Sequence, residues 1–160
     1  MAKLENFNGY YCESEFEYAF IAFLESNGWN YSSGDFIKRE TKKDVLIEED
    51  FKKFLSDQHP ELDAEEITQI YDNVRLVGSE SDFATLHKVY GWMVDGVQFK
   101  PKKGLAKMIS LINFDEPHKN IFHAVNQFSV EYVNNGEKKT RRPDILLYVN
   151  GLPLCVIELK

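Results

Sequence analysis

The sequence predicts an α+β domain, with helices first and then strands joined by short connections into a mostly antiparallel central sheet. Three observations carry this. Apolar residues recur at three- and four-residue spacing through residues 14–27, 48–57, 64–77 and 80–94. After Gly96 the pattern changes to short apolar or alternating runs separated by polar turns. The last twenty residues, 141–160, read as two apolar strands meeting at Asn150-Gly151, a pair whose tolerance of positive φ is a hairpin signal.

The first helix, 14–27, carries Phe16, Ala19, Phe20, Phe23 and Leu24 as its expected buried stripe. Ser14-Glu15-Phe16-Glu17 has the spacing of a capping box, Gly28 stops the helix, and Trp29 is expected to pack behind it. Residues 30–47 read as irregular, with a turn at Ser32-Ser33-Gly34. In helix 48–57, Glu48, Glu49 and Asp50 favour the N-terminal end of the helix dipole, and Phe51, Phe54 and Leu55 turn inward. His59-Pro60 ends it. Asp63 caps helix 64–77, whose stripe is Ile67, Ile70, Tyr71 and Val74. Gly78-Ser79 separates it from helix 80–94, where Phe83, Leu86, Val89, Tyr90 and Met93 are spaced for burial. Residues 48–95 thus form a helical insertion within one domain spanning 1–160. Their acidic faces are either solvated scaffold or a protein-docking surface.

Past the basic loop Lys100-Pro101-Lys102-Lys103-Gly104, residues 107–114 read as a strand and Asp115-Glu116-Pro117 as a turn. Residues 120–133 read as one long strand, and 134–139 as a polar hairpin loop. The last two strands are apolar on both faces and should be central and covered.

Charge interrupts that final hairpin at Asp144, Glu158 and Lys160. Charges at the ends of buried strands are costly unless paired. Register decides whether they meet. A two-residue loop at Asn150-Gly151 sets Asp144 against Ile157, which puts Asp144 and Glu158 on opposite faces. A three-residue loop, or a bulge in either strand, sets Asp144 against Glu158 with Cβ atoms roughly 4.5–5.5 Å apart. Pro153 lacks an N–H and disfavours a regular ladder beside the turn, so the longer loop or the bulge is expected. Glu158 and Lys160 are two apart and share a face in any register. Two carboxylates and an ammonium there suit either a metal site for phosphodiester cleavage or a salt-bridged strand end.

Composition narrows the function classes. The net charge of −7 argues against a nucleic-acid binder that uses its whole surface. The charge is uneven: residues 1–95 carry 9 Lys/Arg against 20 Asp/Glu, whereas residues 96–160 carry 10 against 6. The basic part holds the charged hairpin, and phosphate backbones respond to local charge. Lys138, Lys139, Arg141 and Arg142 precede Asp144, as DNA-phosphate contacts or as a solvated hairpin tip. No apolar run approaches the length of a membrane span, and the start of the chain lacks a signal-peptide core, so a cytoplasmic protein with no membrane partner is expected. Cys12 and Cys155 have no metal-ligand spacing and read as free thiols of a reducing compartment. His59, His87, His118 and His123 likewise lack ligand spacing; His123 is the one placed to lie near the hairpin site.

Pro143-Asp144 followed by Glu158-Leu159-Lys160 matches the PD-(D/E)xK nuclease pattern. The wider context is more specific. Asn126-Gln127-Phe128, Arg142-Pro143-Asp144, Val149 to Leu154, and Ile157 to Lys160 together resemble the N-terminal nuclease domain of the restriction (R) subunit of type I restriction–modification enzymes. The resemblance is close over residues 107–160 and looser earlier, through Glu17, Ile21, Leu24 and Gly28-Trp29.

The resemblance implies a restriction-endonuclease-like fold that hydrolyses double-stranded DNA with Mg²⁺, for which Mn²⁺ can substitute. It implies Asp144 and Glu158 as metal ligands, the Leu159 backbone carbonyl as a third, and Lys160 near the attacking water. It also implies that Glu17 joins the site from the first helix; the residues alone allow Glu17 merely to cap that helix. Its partners would be methylation and specificity subunits, with ATP serving a motor region. No G-x-x-x-x-G-K-[ST] run is present, so the chain is expected to be part of a longer subunit. The competing expectation is a non-catalytic DNA-holding or subunit-docking module of the same fold.

Overall fold

The computed structural model describes residues 13–77, 82–134 and 136–159. Lys160, Cys12, Gly78-Ser79 and the first residues of the expected fourth helix lie outside them. The fold is α+β. Four helices, α1 (Glu13–Ser26), α2 (Glu48–Gln58), α3 (Ala64–Arg75) and α4 (Asp82–Asp95), accompany eight strands among the described residues. The strands are β1 (Asn30–Ser33), β2 (Val97–Phe99), β3 (Lys107–Ile109), β4 (Phe122–Asn126), β5 (Val130–Asn134), β6 (Glu137–Arg141), β7 (Ile145–Val149) and β8 (Leu152–Ile157).

The central sheet has the order β1-β4-β7-β8. β4 pairs antiparallel with β7, and β7 with β8, whereas β1 runs parallel to β4. Alternation along β4 divides the two faces. Phe122 meets Trp29 just past α1, and Asn126 meets Glu17 of α1. His123 meets Asp50 of α2, and Val125 packs with Ile47. The ribbons β2-β3 and β5-β6 form separate two-stranded sheets.

α1 ends as a Schellman motif: Trp29 N–H donates to Leu24 O and Gly28 N–H to Glu25 O, with Gly28 at φ 87. Its buried face is Glu17, Ile21 and Leu24, not the expected phenylalanine stripe. Of the expected stripe Leu24 is buried and Phe20 half-buried, whereas Phe16 and Phe23 are 51% and 59% exposed, so apolar spacing placed the stripe partly off the buried side of this helix. α4 departs in the same way. Phe83, Leu86 and Tyr90 lie exposed, and only partly buried Trp92 and Met93 reach the core. α2 and α3 agree with their patterns, burying Phe51, Phe54 and Leu55, and Ile67, Ile70, Tyr71 and Val74. They share one core cluster with Val97, Phe99, Ile109, Leu111 and Leu152.

Asp63 caps α3 through a complete capping box: its side chain accepts from Glu66 N–H, and Glu66 accepts from Asp63 N–H. Lys102 reaches the same corner, donating Nζ to Asp63 at 2.8 Å and its backbone N–H to Glu66 at 2.6 Å. The Lys102 hydrogen bond, then the Glu66 N–H, holds the Asp63 carboxyl below its ordinary range. A depressed carboxylate contributes stability that is present above its unfolded value and is lost as pH falls through its folded value. Asp63→Asn should therefore lower the melting temperature at neutral pH and flatten its decline toward acid, read by melting the two proteins across pH.

The strand expectations before the final hairpin need four corrections. The stretch taken as irregular contains β1, a short polar edge strand without apolar alternation, whose partner β4 lies about ninety residues further on. The strand expected over 107–114 stops at Ile109. The long strand over 120–133 is broken: Gln127 turns left-handed at φ 55 and Phe128 buries itself, so β4 and β5 belong to different sheets. The polar loop at 134–139 is mostly strand, with Lys138 and Lys139 in β6.

The final hairpin behaves as its sequence requires. Asn150 and Gly151 turn at φ 52 and φ 76, and Val149 pairs Leu152 and Tyr148 pairs Pro153. The register then shifts, so that Leu147 pairs Cys155 and Ile145 pairs Ile157. The shift is the expected bulge. The strands are not both covered, however: β7 is internal, but β8 is the sheet edge, with Leu154 44% and Val156 61% exposed.

The hairpin turn is buried. Asn150 is 0% exposed; its Oδ1 accepts from Ile121 N–H at 2.7 Å, and its Nδ2 donates to Leu111 O at 2.9 Å and Asn120 Oδ1 at 2.8 Å. Gly151 O accepts from Ile47 N–H, and a Cβ on Gly151 would lie 2.3 Å from Ile47 O. Removing the Asn150 side chain orphans a buried N–H and a buried C=O. Asn150→Ala should destabilise the domain by about 3 kcal/mol, measured by urea unfolding.

Candidate active site

β7 and β8 end one residue short of Asp144 and Glu158, at the pair Ile145 and Ile157. Continuing the bulged pairing one step past Ile145 and Ile157 sets these two acids opposite each other, on one face. Asp144 is half-buried and Glu158 exposed. Asp144 Oδ2 accepts from Leu159 N–H at 2.7 Å, which ties the start of one strand to the end of the other. Lys160, expected beside Glu158, lies outside the described residues.

Glu17 enters from α1. It is 7% exposed and accepts Asn126 Nδ2 on Oε1 at 2.6 Å and Gln127 Nε2 on Oε2 at 3.0 Å. Its carboxylate therefore faces β4 and does not cap its own helix. Tyr31 on β1 donates its hydroxyl to Asn126 Oδ1 at 3.1 Å, which leaves Nδ2 for the acid. Gln127 N–H donates to Asp144 O at 3.0 Å. Thus Gln127 touches Glu17 with its side chain and Asp144 with its backbone. Burial, then the neighbouring Tyr18 and Glu17, holds the Tyr31 phenol above its ordinary range, so it stays a donor at neutral pH. The roles of Tyr31, Asn126 and Gln127 were not read from the sequence. The available signal was Asn126-Gln127 itself, two adjacent carboxamides within a motif that carries the family resemblance.

A metal centre built from side chains alone is not what these groups make. Among the described residues, no group of three His, Cys, Asp or Glu converges as a metal-binding set. Mg²⁺ asks for less, since it takes one or two carboxylates and keeps several waters. Asp144 and Glu158, with the Leu159 carbonyl adjoining in sequence, are donors enough for that smaller demand.

The basic residues divide. On β6, Lys139 and Arg141 alternate onto one face and Lys138 onto the other, all exposed; Arg142 follows the strand and is exposed too. Lys139 also lies 3.9 Å from Glu137, an exposed pair of little energetic weight.

His123 does not join Asp144 or Glu158. Its Nδ1 bonds Asp50 Oδ2 at 2.7 Å and its Nε2 bonds Ser32 Oγ at 2.9 Å, linking β4 to α2 and β1. These three residues line a cavity of about 400 Å³, with Ile37, Ile47 and Lys38 among its other walls. Neither Glu17 nor Asp144 nor Glu158 lines it. His123→Leu should loosen the parallel edge, seen as faster amide exchange in β1 than in β7.

Comparison with known proteins decides the family. The pattern of the type I restriction enzyme R protein N terminus matches residues 10–160. The chain belongs to that family. A "Putative type I restriction enzyme MjaIXP endonuclease subunit" of Methanocaldococcus jannaschii is 31% identical over 154 residues, covering 90% of this chain and 14% of the relative. The type I restriction enzyme HindI endonuclease subunit of Haemophilus influenzae is 31% identical over 162 residues, covering 92% and 15%. This R-protein N-terminal domain thus spans about a seventh of the curated relatives it matches. Among its described residues, no helix is long and apolar enough to cross a membrane.

Proposed function

We propose that this chain is the DNA-cleaving domain of a type I restriction R subunit and hydrolyses phosphodiester bonds of double-stranded DNA with a divalent metal. The observation that carries the reading is the bulged register of β7 and β8, which, carried one step past Ile145 and Ile157, would oppose Asp144 and Glu158 on one face in a chain of this family. Asp144, Glu158 and the Leu159 carbonyl are the proposed ligands of Mg²⁺, which Mn²⁺ can replace. Bound there, the metal would supply an activated water and offset charge on the phosphoryl oxygens.

The remaining work falls to the chain's own groups. The half-buried Asp144 carboxylate is oriented by Leu159 N–H before any ligand arrives. Glu17, buried beside Asn126 and Gln127, adds negative charge on the α1 side. Lys160, two positions beyond Glu158, is assigned to hold or accept a proton at Nζ near the attacking water. Lys139, Arg141 and Arg142, with Lys138 on the opposite face of β6, are assigned to the DNA backbone. Target choice is assigned to specificity and methylation subunits, and ATP use to another part of the longer subunit.

The lack of a three-acid cluster among the described residues favours a second reading, a non-catalytic DNA-holding or docking module. Cleavage separates the two. In the full-length subunit assembled with its partners, Asp144→Asn and Glu158→Gln should each cut supercoiled DNA more slowly by about 100-fold or more and still bind it. Unchanged cleavage in both variants would leave only the holding role.

A further inference from the structure

We propose that Tyr31, Asn126 and Gln127 are positioning residues that hold the Glu17 carboxylate for a divalent cation and couple its placement to Asp144. The proposal rests on the metal-site reading above and gives a role to three side chains to which the resemblance assigns none.

The first support is what surrounds Glu17. It is 7% exposed, and both oxygens accept hydrogen bonds from neutral amides. Among the described residues, no Lys, Arg or His forms an ion pair with it. Amides satisfy part of its lone-pair capacity but bring no positive charge. A buried carboxylate in that setting is stabilised by a cation. The amides leave it oriented for one, since a carboxylate has about four lone-pair sites and two are engaged here.

The second support is the order of the bonds. Tyr31 donates to Asn126 Oδ1 at 3.1 Å, so the carboxamide presents Nδ2 to Glu17. Reversing that amide would turn Oδ1 onto the Glu17 carboxylate, which can only accept, and break that contact. Tyr31 stands on β1, which pairs directly with β4, so the orientation is fixed by two hydrogen-bonded strands.

The third is backbone conformation. Gln127 adopts φ 55, a region that side chains other than Asn and Asp enter infrequently. Extended backbone there would continue the alternation of β4 and send the side chain to the face of Val125, away from Asn126. The left-handed turn instead lets adjacent residues, Asn126 and Gln127, grip the same carboxylate. At the same residue the N–H still donates to Asp144 O at 3.0 Å. A displacement of Gln127 thus moves the holder of Glu17 and the neighbour of Asp144 together.

The test is titration of this 160-residue chain with Mn²⁺, read as loss of the free-ion paramagnetic resonance signal, beside metal-free thermal melting. Gln127→Gly deletes the amide yet accepts the left-handed backbone. Tyr31→Phe removes only the hydroxyl. Glu17→Gln and Asp144→Asn are the references. Both positioning variants should weaken Mn²⁺ binding about 10-fold or more, as outer-shell partners of metal ligands do. Their melting temperatures should stay within a few degrees of the parent. If the parent binds no Mn²⁺, the metal-site reading fails and this proposal falls with it. If the parent binds and Asp144→Asn does not, but Glu17→Gln and Gln127→Gly bind like the parent, the metal site stands and the positioning role is overturned. Lower melting temperatures with unchanged Mn²⁺ affinity overturn it as well, because that is the signature of packing alone.

Discussion

The buried Asn150-Gly151 turn is the constraint on which the rest of the domain depends. Hairpin tips usually lie in water, where their polar groups are satisfied without cost. This one sits inside the fold with Asn150 fully covered, so every polar group must find a protein partner. The Asn150 side chain serves Ile121, Leu111 and Asn120, its N–H serves Ile121 O, and Gly151 O serves Ile47. These bonds draw together the entry to α2, the irregular stretch after β3 and the start of β4. Glycine is required at position 151 twice over, by its positive φ and by the close approach of Ile47 O.

From that fixed point the geometry runs outward along two strands. The tight turn sets one register, the bulge after Tyr148 changes it, and the change aligns Ile145 with Ile157 at the far end, one residue short of Asp144 and Glu158. On the other side, β7 fixes β4, whose last residue and its left-handed successor hold Glu17. The charged groups therefore stand at strand ends, where chain reversals free side chains from strict alternation. α1 supplies its acid across a face that is otherwise ordinary packing, with Ile21 and Leu24 buried one and two turns further on.

Much of this was legible because it is local. Helix stops, the N-cap at Asp63 and the need for an extra residue near Pro153 all follow from a few neighbouring residues. The bulge could be reasoned on paper because one residue decides which face a carboxylate takes. What failed was not local. β1 is four polar residues, visible as a strand only beside β4. The break at Gln127 carries no glycine or proline to announce it; tertiary bonds to Glu17 and Asp144 hold it. In α1 the helical period was right, and Leu24 is buried as expected, but the stripe was centred to one side of the buried face. Phe16 and Phe23 outweigh Glu17 on any apolar scale, yet Glu17 is buried because Asn126 and Gln127 wait for it. An apolar stripe cannot foresee an acid that has been provided for.

The position of β8 at the edge of the central sheet has a consequence for the domain in concentrated solution. Leu154 and Val156 present apolar side chains beside a row of backbone donors and acceptors with no neighbouring strand in this sheet among the described residues. Natural sheets guard such margins with charge, proline or a covering element. Pro153 guards only the end nearest the turn, and Glu158 stands just past the other. Between them, Leu154, Cys155 and Val156 form a short sticky margin, and the free, exposed thiol of Cys155 lies at its centre. Crowding two such margins side by side favours strand-to-strand association, and an oxidising buffer can lock it covalently. The isolated domain will therefore keep best dilute and reduced.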